Sequence, residues 1–305
     1  MGFPATVFAQ GLGARFPVTV VLGASGRIGQ VLRRTWPDLL PGAARVRWQA
    51  RRPQPDAGAS EDWVVLDPLA EPGLLAGALR GAGAVLCLAG SVPGRSADLA
   101  DNARLALAAI EAAASAGGKP PRVFLASSAA VYGGQAGLLR EDAAATPTSP
   151  YGRAKREMEQ QALARGQELG VPVSILRIGN IAGLDAILGG WRPGFTLDRF
   201  ADGSSPRRSY IGVQSLAHVL AALLICEEVP AVLNIAQPEP VAMAALLQAA
   251  GRAFTTRPAP DSAIPEVALD LDLLRRTLGP QAMPPPADPA CLVTEWALLE
   301  PDFTR

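Results

Sequence analysis

The sequence predicts an α/β fold: a doubly wound parallel sheet followed by a smaller C-terminal lobe. Three observations carry this. Short β-branched runs alternate with helical stretches as far as Arg177, which is the pattern of crossover units. A glycine-spaced turn, GASGRIG, joins the first strand to the first helix, where a dinucleotide fold turns. After Arg177 the rhythm breaks into Gly-, Pro- and Arg-rich segments.

The elements follow in order. PVTVVLG (Pro17–Gly23) reads as a buried strand, and a helix runs from Arg27 to about Arg34, stopped by Pro37. VRWQA (Val46–Ala50), WVVLD (Trp63–Asp67) and AVLCLAG (Ala84–Gly90) are the next strands, with helical spacing over Leu69–Arg80. Asp98–Ala116 is a long Ala-rich helix, RVFLASS (Arg122–Ser128) a fifth strand, Tyr151–Leu169 a helix closed by Gly170, and VPVSILR (Val171–Arg177) a sixth strand. Gly189–Arg208 reads as loop. Helices are expected over Val213–Glu227, Val241–Phe254 and about Leu269–Leu278, with a strand at VLNIA (Val232–Ala236). Residues 1–177 are read as the nucleotide-binding domain and 178–305 as a smaller substrate lobe interleaved with it.

Composition narrows the function classes. The 305 residues are 49% hydrophobic, enough for a sizeable core. The charges balance, so nothing draws the chain to nucleic acid or an anionic membrane. No apolar run would span a bilayer. Cys87, Cys226 and Cys291 lie far apart and form no metal-binding pattern, which suits a reducing, cytoplasmic setting. MGFPAT matches the myristoylation pattern of Gly2 with Thr6, but the aromatic and proline after Gly2 argue against it.

In the glycine turn, Gly23, Gly26 and Gly29 let the backbone approach a pyrophosphate, with Ser25, Arg27 and Ile28 completing the loop. An acid would be expected after the second strand to bind the ribose of NAD. No Asp or Glu occurs between Asp38 and Asp56; Arg51 and Arg52 stand there instead. An arginine fork suits a 2′-phosphate, with Arg27 as a helper, so NADP is favoured and NAD is the alternative. The competing reading of the arginines is a solvated basic loop. Asp67 is placed either to meet the adenine or to cap its strand.

SPYGRAK puts Tyr151 four residues before Lys155 at a helix start. Positions i and i+4 share a helix face, and a nearby cation favours a phenolate. Tyr151 can then exchange a proton with an alcohol or ketone while hydride moves to or from nicotinamide. The chain has one histidine, His218, which lies among apolar residues and reads as structural. The glycine loop, SSAAVYG and YGRAK together resemble the extended short-chain dehydrogenase/reductase family, which includes nucleotide-sugar epimerases and dehydratases; the resemblance runs from about Val18 to Leu278.

That resemblance implies several roles. Lys155 also holds the nicotinamide ribose. Ser128 holds the substrate oxygen, with Ser127 as the competing neighbour. Leu88, Ala89 and Gly90 edge the cofactor, and Asn102 shapes the site, against the plainer reading of a helix cap. Asn180 and either Arg207 or Arg208 face the substrate, the arginine candidates binding a phosphate. It also implies a homodimer through the two long helices. Ala129 and Ala130 stand where dehydratases carry an Asp-Glu pair, so water loss is disfavoured. Gly212 replaces a frequent histidine, and Gln214 and Ser215 replace frequent acids. The short stretch from Asn180 to Arg208 favours a small substrate over a whole nucleotide-sugar. The reading is an NADP-preferring oxidoreductase that interconverts a secondary alcohol and a ketone on a sugar-like or other small polar substrate. The alternatives are a nucleotide-sugar epimerase with tightly bound NAD and, third, a non-catalytic nicotinamide sensor.

Overall fold

A computed structural model describes residues 16–56, 58, 61–92 and 98–297; the Gly2–Thr6 pattern lies outside the described residues. The chain runs β1 (Thr19–Leu22), α1 (Arg27–Leu39), β2 (Val46–Ala50), β3 (Asp62–Val65), α2 (Pro72–Ala78), β4 (Ala84–Cys87), α3 (Asp101–Ser115) and β5 (Arg122–Ser128). Then follow β6 (Gly137–Leu139), α4 (Pro150–Leu169), β7 (Val173–Ile178), β8 (Asn180–Ile181), β9 (Thr196–Arg199), β10 (Arg207–Arg208), β11 (Tyr210–Ile211) and α5 (Val213–Ile225). The last elements are β12 (Val232–Ile235), β13 (Val241–Ala242), α6 (Met243–Ala249), β14 (Thr255–Pro258), β15 (Glu266–Leu269), α7 (Asp272–Leu278) and α8 (Pro289–Ala297).

Seven strands form one parallel sheet in the order β12-β7-β5-β4-β1-β2-β3. This is a Rossmann-type arrangement, reversing direction between β1 and β4. Its inner strands are mostly apolar because both faces are covered. One core, around Trp36, Trp48 and Phe124, lies under α1 and α5; the other, around Leu75, Ile110 and Met158, lies under α2, α3 and α4.

Four expectations change. α1 passes through Pro37 rather than stopping at it. Trp36 and Leu39 are buried, and Trp36 Nε1 donates to the Ala217 carbonyl of α5 at 3.0 Å. Packing thus holds a last turn that proline disfavours. The VLNIA strand, read with the C-terminal third, is β12, a seventh strand of the main sheet beside β7, and α5 packs beneath it. The expected loop Gly189–Arg208 contains β9, which pairs with β14 where the helix expected over Val241–Phe254 has already ended at Ala249. Thr196 and Thr255 meet through their hydroxyls at 2.9 Å, and Arg257 pairs with Asp198 at 2.7 Å. Finally, α8 was unread, although Leu292 and Trp296 sit one helical turn apart and are both buried.

Candidate active site

The carboxyl ends of β1, β4, β5 and β7 converge, as ligand sites of this sheet type require. At the end of β1 the chain turns at Gly23, with φ +78°; a Cβ there would lie 2.7 Å from the Ala89 backbone nitrogen. Only glycine permits this approach of the first turn to the end of β4. Gly23 N–H donates to Gln49 Oε1 at 2.9 Å, and Gln49 Nε2 donates to the Leu66 carbonyl at 2.7 Å. The buried Gln49 thus ties together the ends of β1, β2 and β3. Gly29 seats α1 against Ala24, where any side chain would collide with backbone. α1 starts at Gly26 with no side-chain cap, so its first amides stay available to an anion. Ser25, Gly26 and Arg27 are exposed at this mouth and Ile28 is half-buried.

Arg51 and Arg52 follow β2 directly and are exposed; the Arg52 carbonyl accepts from Gln54 Nε2 at 2.8 Å, but neither guanidinium has a hydrogen bond or ion pair among the described residues. Arg27 donates to the Leu184 carbonyl at 2.9 Å, across the mouth of the cradle. Asp67 Oδ1 accepts from the Leu69 and Ala70 amides at 2.9 and 3.4 Å, an Asx-type turn at the end of its strand. After β4, Leu88 is bonded to β1, and Gly90 packs on Asn102, whose Oδ1 would lie 2.6 Å from any Cβ there. Asn102 is not a cap. It donates to the Ser91 and Leu99 carbonyls and accepts from the Ser91 amide, which pins the loop after β4.

Opposite this cradle, the end of β5 is fastened to α4 residue by residue. Ser149 caps α4, accepting from the Gly152 amide at 3.0 Å, and so starts the helix where Tyr151 faces the strand. The Ser128 hydroxyl accepts from the Ala130 amide at 3.2 Å and lies close enough to the Tyr151 phenol to favour its ionised form. Ser127, pointing to the opposite face of the strand, donates to Glu159 Oε1 at 2.6 Å. Lys155 Nζ donates to the Ala126 carbonyl at 2.8 Å. The structure therefore brings Ser128, Tyr151 and Lys155 together and turns Ser127 away.

The electrostatics differ from the expected picture. Burial raises the Tyr151 phenol above its ordinary value; the nearby Ser128 hydroxyl and the Arg27 charge oppose it. Lys155 lies beside the phenol, its nitrogen 5.9 Å from the Tyr151 ring centroid. Lys155 is 6% exposed, and burial pulls it down to about 8, opposed by Cys87 and Glu159. Burial also pushes the Cys87 thiol up to about 11.

Beyond β7, the Asn180 amide donates to the Ser209 carbonyl at 3.0 Å, and the Tyr210 hydroxyl donates to Asp185 Oδ2 at 3.0 Å. Asp185 also accepts from three amides of the following turn, and burial lifts its carboxyl above the usual range. Arg207 and Arg208 point to opposite sides of β10. Arg207 pairs with Glu266 at 3.3 Å, whereas Arg208 is half-buried on backbone carbonyls and has no acidic partner among the described residues. Gly212 makes room for Glu295 of α8, whose carboxylate accepts from the Gln214 and Ser215 amides and the Ser215 hydroxyl. An acid from the last helix thus caps α5. His218 is buried in α5, with Nδ1 on the Gln214 carbonyl at 2.7 Å. Gln49, Glu159, Asp185 and Glu295 were not singled out from sequence. Glu159 had a signal: 151, 155 and 159 share one helix face.

The family model described as the NAD dependent epimerase/dehydratase family matches residues 19–188. The chain belongs to this family. It is accordingly an NAD(P)-dependent enzyme of the epimerase/dehydratase type. Solved structures share the fold across nearly the whole chain. UDP-glucose-4-epimerase from Stenotrophomonas maltophila, with bound NAD and formylated UDP-arabinopyranose, is similar at a TM-score of 0.72 and 22% identity, covering 93% of this chain and 99% of that one. UDP-glucuronic acid 4-epimerase from Bacillus cereus, with UDP-glucuronic acid and NAD, gives 0.72 and 18%, covering 93% and 99%. MoeE5, with UDP-glucose and NAD, gives 0.70 and 23%, covering 93% and 99%. A search of curated protein sequences returned no match.

Proposed function

We propose that the chain is a cytoplasmic NADP-preferring oxidoreductase that interconverts a secondary alcohol and a ketone on a sugar-like or other small polar substrate. The observation that carries it is the Ser128–Tyr151–Lys155 cluster facing the glycine cradle. The cradle fits a dinucleotide: Gly23, Gly26 and Gly29 admit a pyrophosphate, Leu88 to Gly90 and Asn102 edge the ribose side, and Lys155 reaches toward it. When bound, the nicotinamide supplies the hydride acceptor or donor. Tyr151 gives or takes the proton at its hydroxyl, and Ser128 orients the substrate oxygen. The raised phenol suits the protonated, donating form, which is the form that ketone reduction uses.

The preference for NADP rests on Arg51 and Arg52, which stand exposed and unpaired at the end of β2 with no acid beside them. Asn180 and Arg208 are the substrate-side contacts, Arg208 being the candidate with no competing carboxylate. We assign the substrate lobe to the elements around β8–β11 and β13–β15, and we expect a homodimer through α3 and α4. A second reading, a nucleotide-sugar epimerase with tightly bound NAD, is favoured by the similarity to the UDP-sugar epimerases. Ala129 and Ala130 remain an obstacle to a dehydratase. The test is to identify the nucleotide released on denaturing the purified protein, then to assay carbonyl reduction with NADPH. Tyr151→Phe is expected to lose about 10²–10⁴-fold in turnover while still binding NADPH. Retained NAD would select the epimerase; full activity in Tyr151→Phe would remove the catalytic reading.

A further inference from the structure

Behind the catalytic cluster lies a buried polar network that the reaction as described does not use. Glu159 is fully buried and Arg177, on β7, is 4% exposed. Arg177 Nη2 donates to Glu159 Oε2 at 2.8 Å and Nε to Oε1 at 3.1 Å, a two-pronged pair. Arg177 Nη1 reaches the Tyr132 hydroxyl at 3.0 Å, and Tyr132 donates to Asn234 of β12 at 2.8 Å. Glu159 also receives the Ser127 hydroxyl.

This places the carboxylate at a particular point. Ser127 sits between Ala126, whose carbonyl accepts from Lys155, and Ser128, which lies beside the Tyr151 phenol. Glu159 lies one turn beyond Lys155 on the same face of α4. A buried ion pair is costly to assemble and adds little net stability, so its retention suggests a specifying role. We propose that Glu159 is a positioning residue for the reaction: its carboxylate fixes the register of α4 on β5 and supplies the negative charge that Lys155 faces. This rests on the reading of Ser128, Tyr151 and Lys155 given above.

The surroundings of Lys155 are few. Among the described residues, the titratable groups facing it are Tyr151 and Glu159 on its own helix and Cys87 on β4, and β5 offers it the Ala126 carbonyl. Glu159 is faced by Arg177 on β7 and by Arg156, 3.7 Å away on α4. With its thiol pushed up to about 11, Cys87 is neutral near pH 7. The Glu159 carboxylate is therefore the full negative charge opposing the loss of the Lys155 proton there.

The composition permits a direct test. The chain has two lysines, Lys119 and Lys155. In a Lys119→Arg background, ¹³C-labelled lysine reports Lys155 alone, and its ε-carbon shift against pH gives its midpoint without any substrate. Glu159→Gln is expected to lower that midpoint by about one pH unit or more. Glu159→Asp, which withdraws the carboxylate by one methylene, is expected to lower it by less and serves if Glu159→Gln does not fold. A midpoint within about 0.3 unit of the parent in the folded variant overturns the proposal. An active Tyr151→Phe enzyme with a displaced Lys155 midpoint would instead sink the catalytic reading and leave the electrostatic one standing.

Discussion

Arg177 and the Arg51–Arg52 pair are the same side chain in opposite settings. Arg177 is buried, and Glu159, Tyr132 and the Glu141 carbonyl occupy its donors. Arg51 and Arg52 stand in solvent with no partner for either guanidinium among the described residues. The first arrangement is complete without a ligand and serves to hold a strand and a helix in place. The second leaves guanidinium groups free to meet an anion. The framework that carries Ser128, Tyr151 and Lys155 is thus assembled by the protein itself, whereas the region expected to choose the cofactor is left open.

Removing one partner from each arrangement should separate them. The largest effect is expected from Arg177→Met, which strands the Glu159 carboxylate in the core; the loss is about 3–5 kcal/mol, read as a lower denaturation midpoint. Arg51→Ala with Arg52→Ala should leave stability unchanged within about 0.5 kcal/mol. The same pair should weaken NADPH relative to NADH by about 10- to 100-fold, the worth of lost hydrogen bonds to a charged group. An unchanged ratio in a fluorescence titration would reduce these arginines to a solvated loop.

Gly212→Ala probes a third setting, the acid supplied by α8. Its Cβ would displace the Glu295 carboxylate and uncap α5, costing about 0.5–2 kcal/mol in a denaturant melt. A pH-dependent effect concerns Lys155. Its folded value, about 8, lies below the 10.5 of the free side chain. The unfolded chain therefore binds more protons between those values, so the cost of burying Lys155 is full below about pH 8 and fades as pH rises toward 10.5. That term contributes at most about 1.4 kcal/mol per pH unit. The stability of Lys155→Met minus that of the parent should accordingly fall across the window, and a flat difference would place the ammonium in solvent.

The inner strands of the main sheet were legible because buried parallel strands are mostly apolar, and the glycine turn because its spacing is set by close backbone contacts. The grouping of the candidate residues Ser128, Tyr151 and Lys155 was legible from the spacing of Tyr151 and Lys155 and their order after Ser128. What escaped depended on partners distant in sequence. Nothing local to Val232–Ile235 says that it pairs with β7. Pro37 predicts a stop, and only the contact of Trp36 with α5 explains why the helix goes on. Glu159 sits in a charged run, REMEQ, that reads as a solvated face until Arg177 and Ser127 are seen beside it. The cap on α5 comes from Glu295, 80 residues after Ser215.

The seventh strand has a consequence for cooperativity. The chain leaves the main sheet after β7, builds β8 through β11, and returns to the sheet with α5 and β12. Residues 180–211 are therefore anchored at both ends in one hydrophobic core. They cannot peel away as an independent unit, and a single chain break within them would leave both fragments bound to the same sheet. Residues 180–211 are thereby constrained at both ends by the sheet that carries the nucleotide cradle.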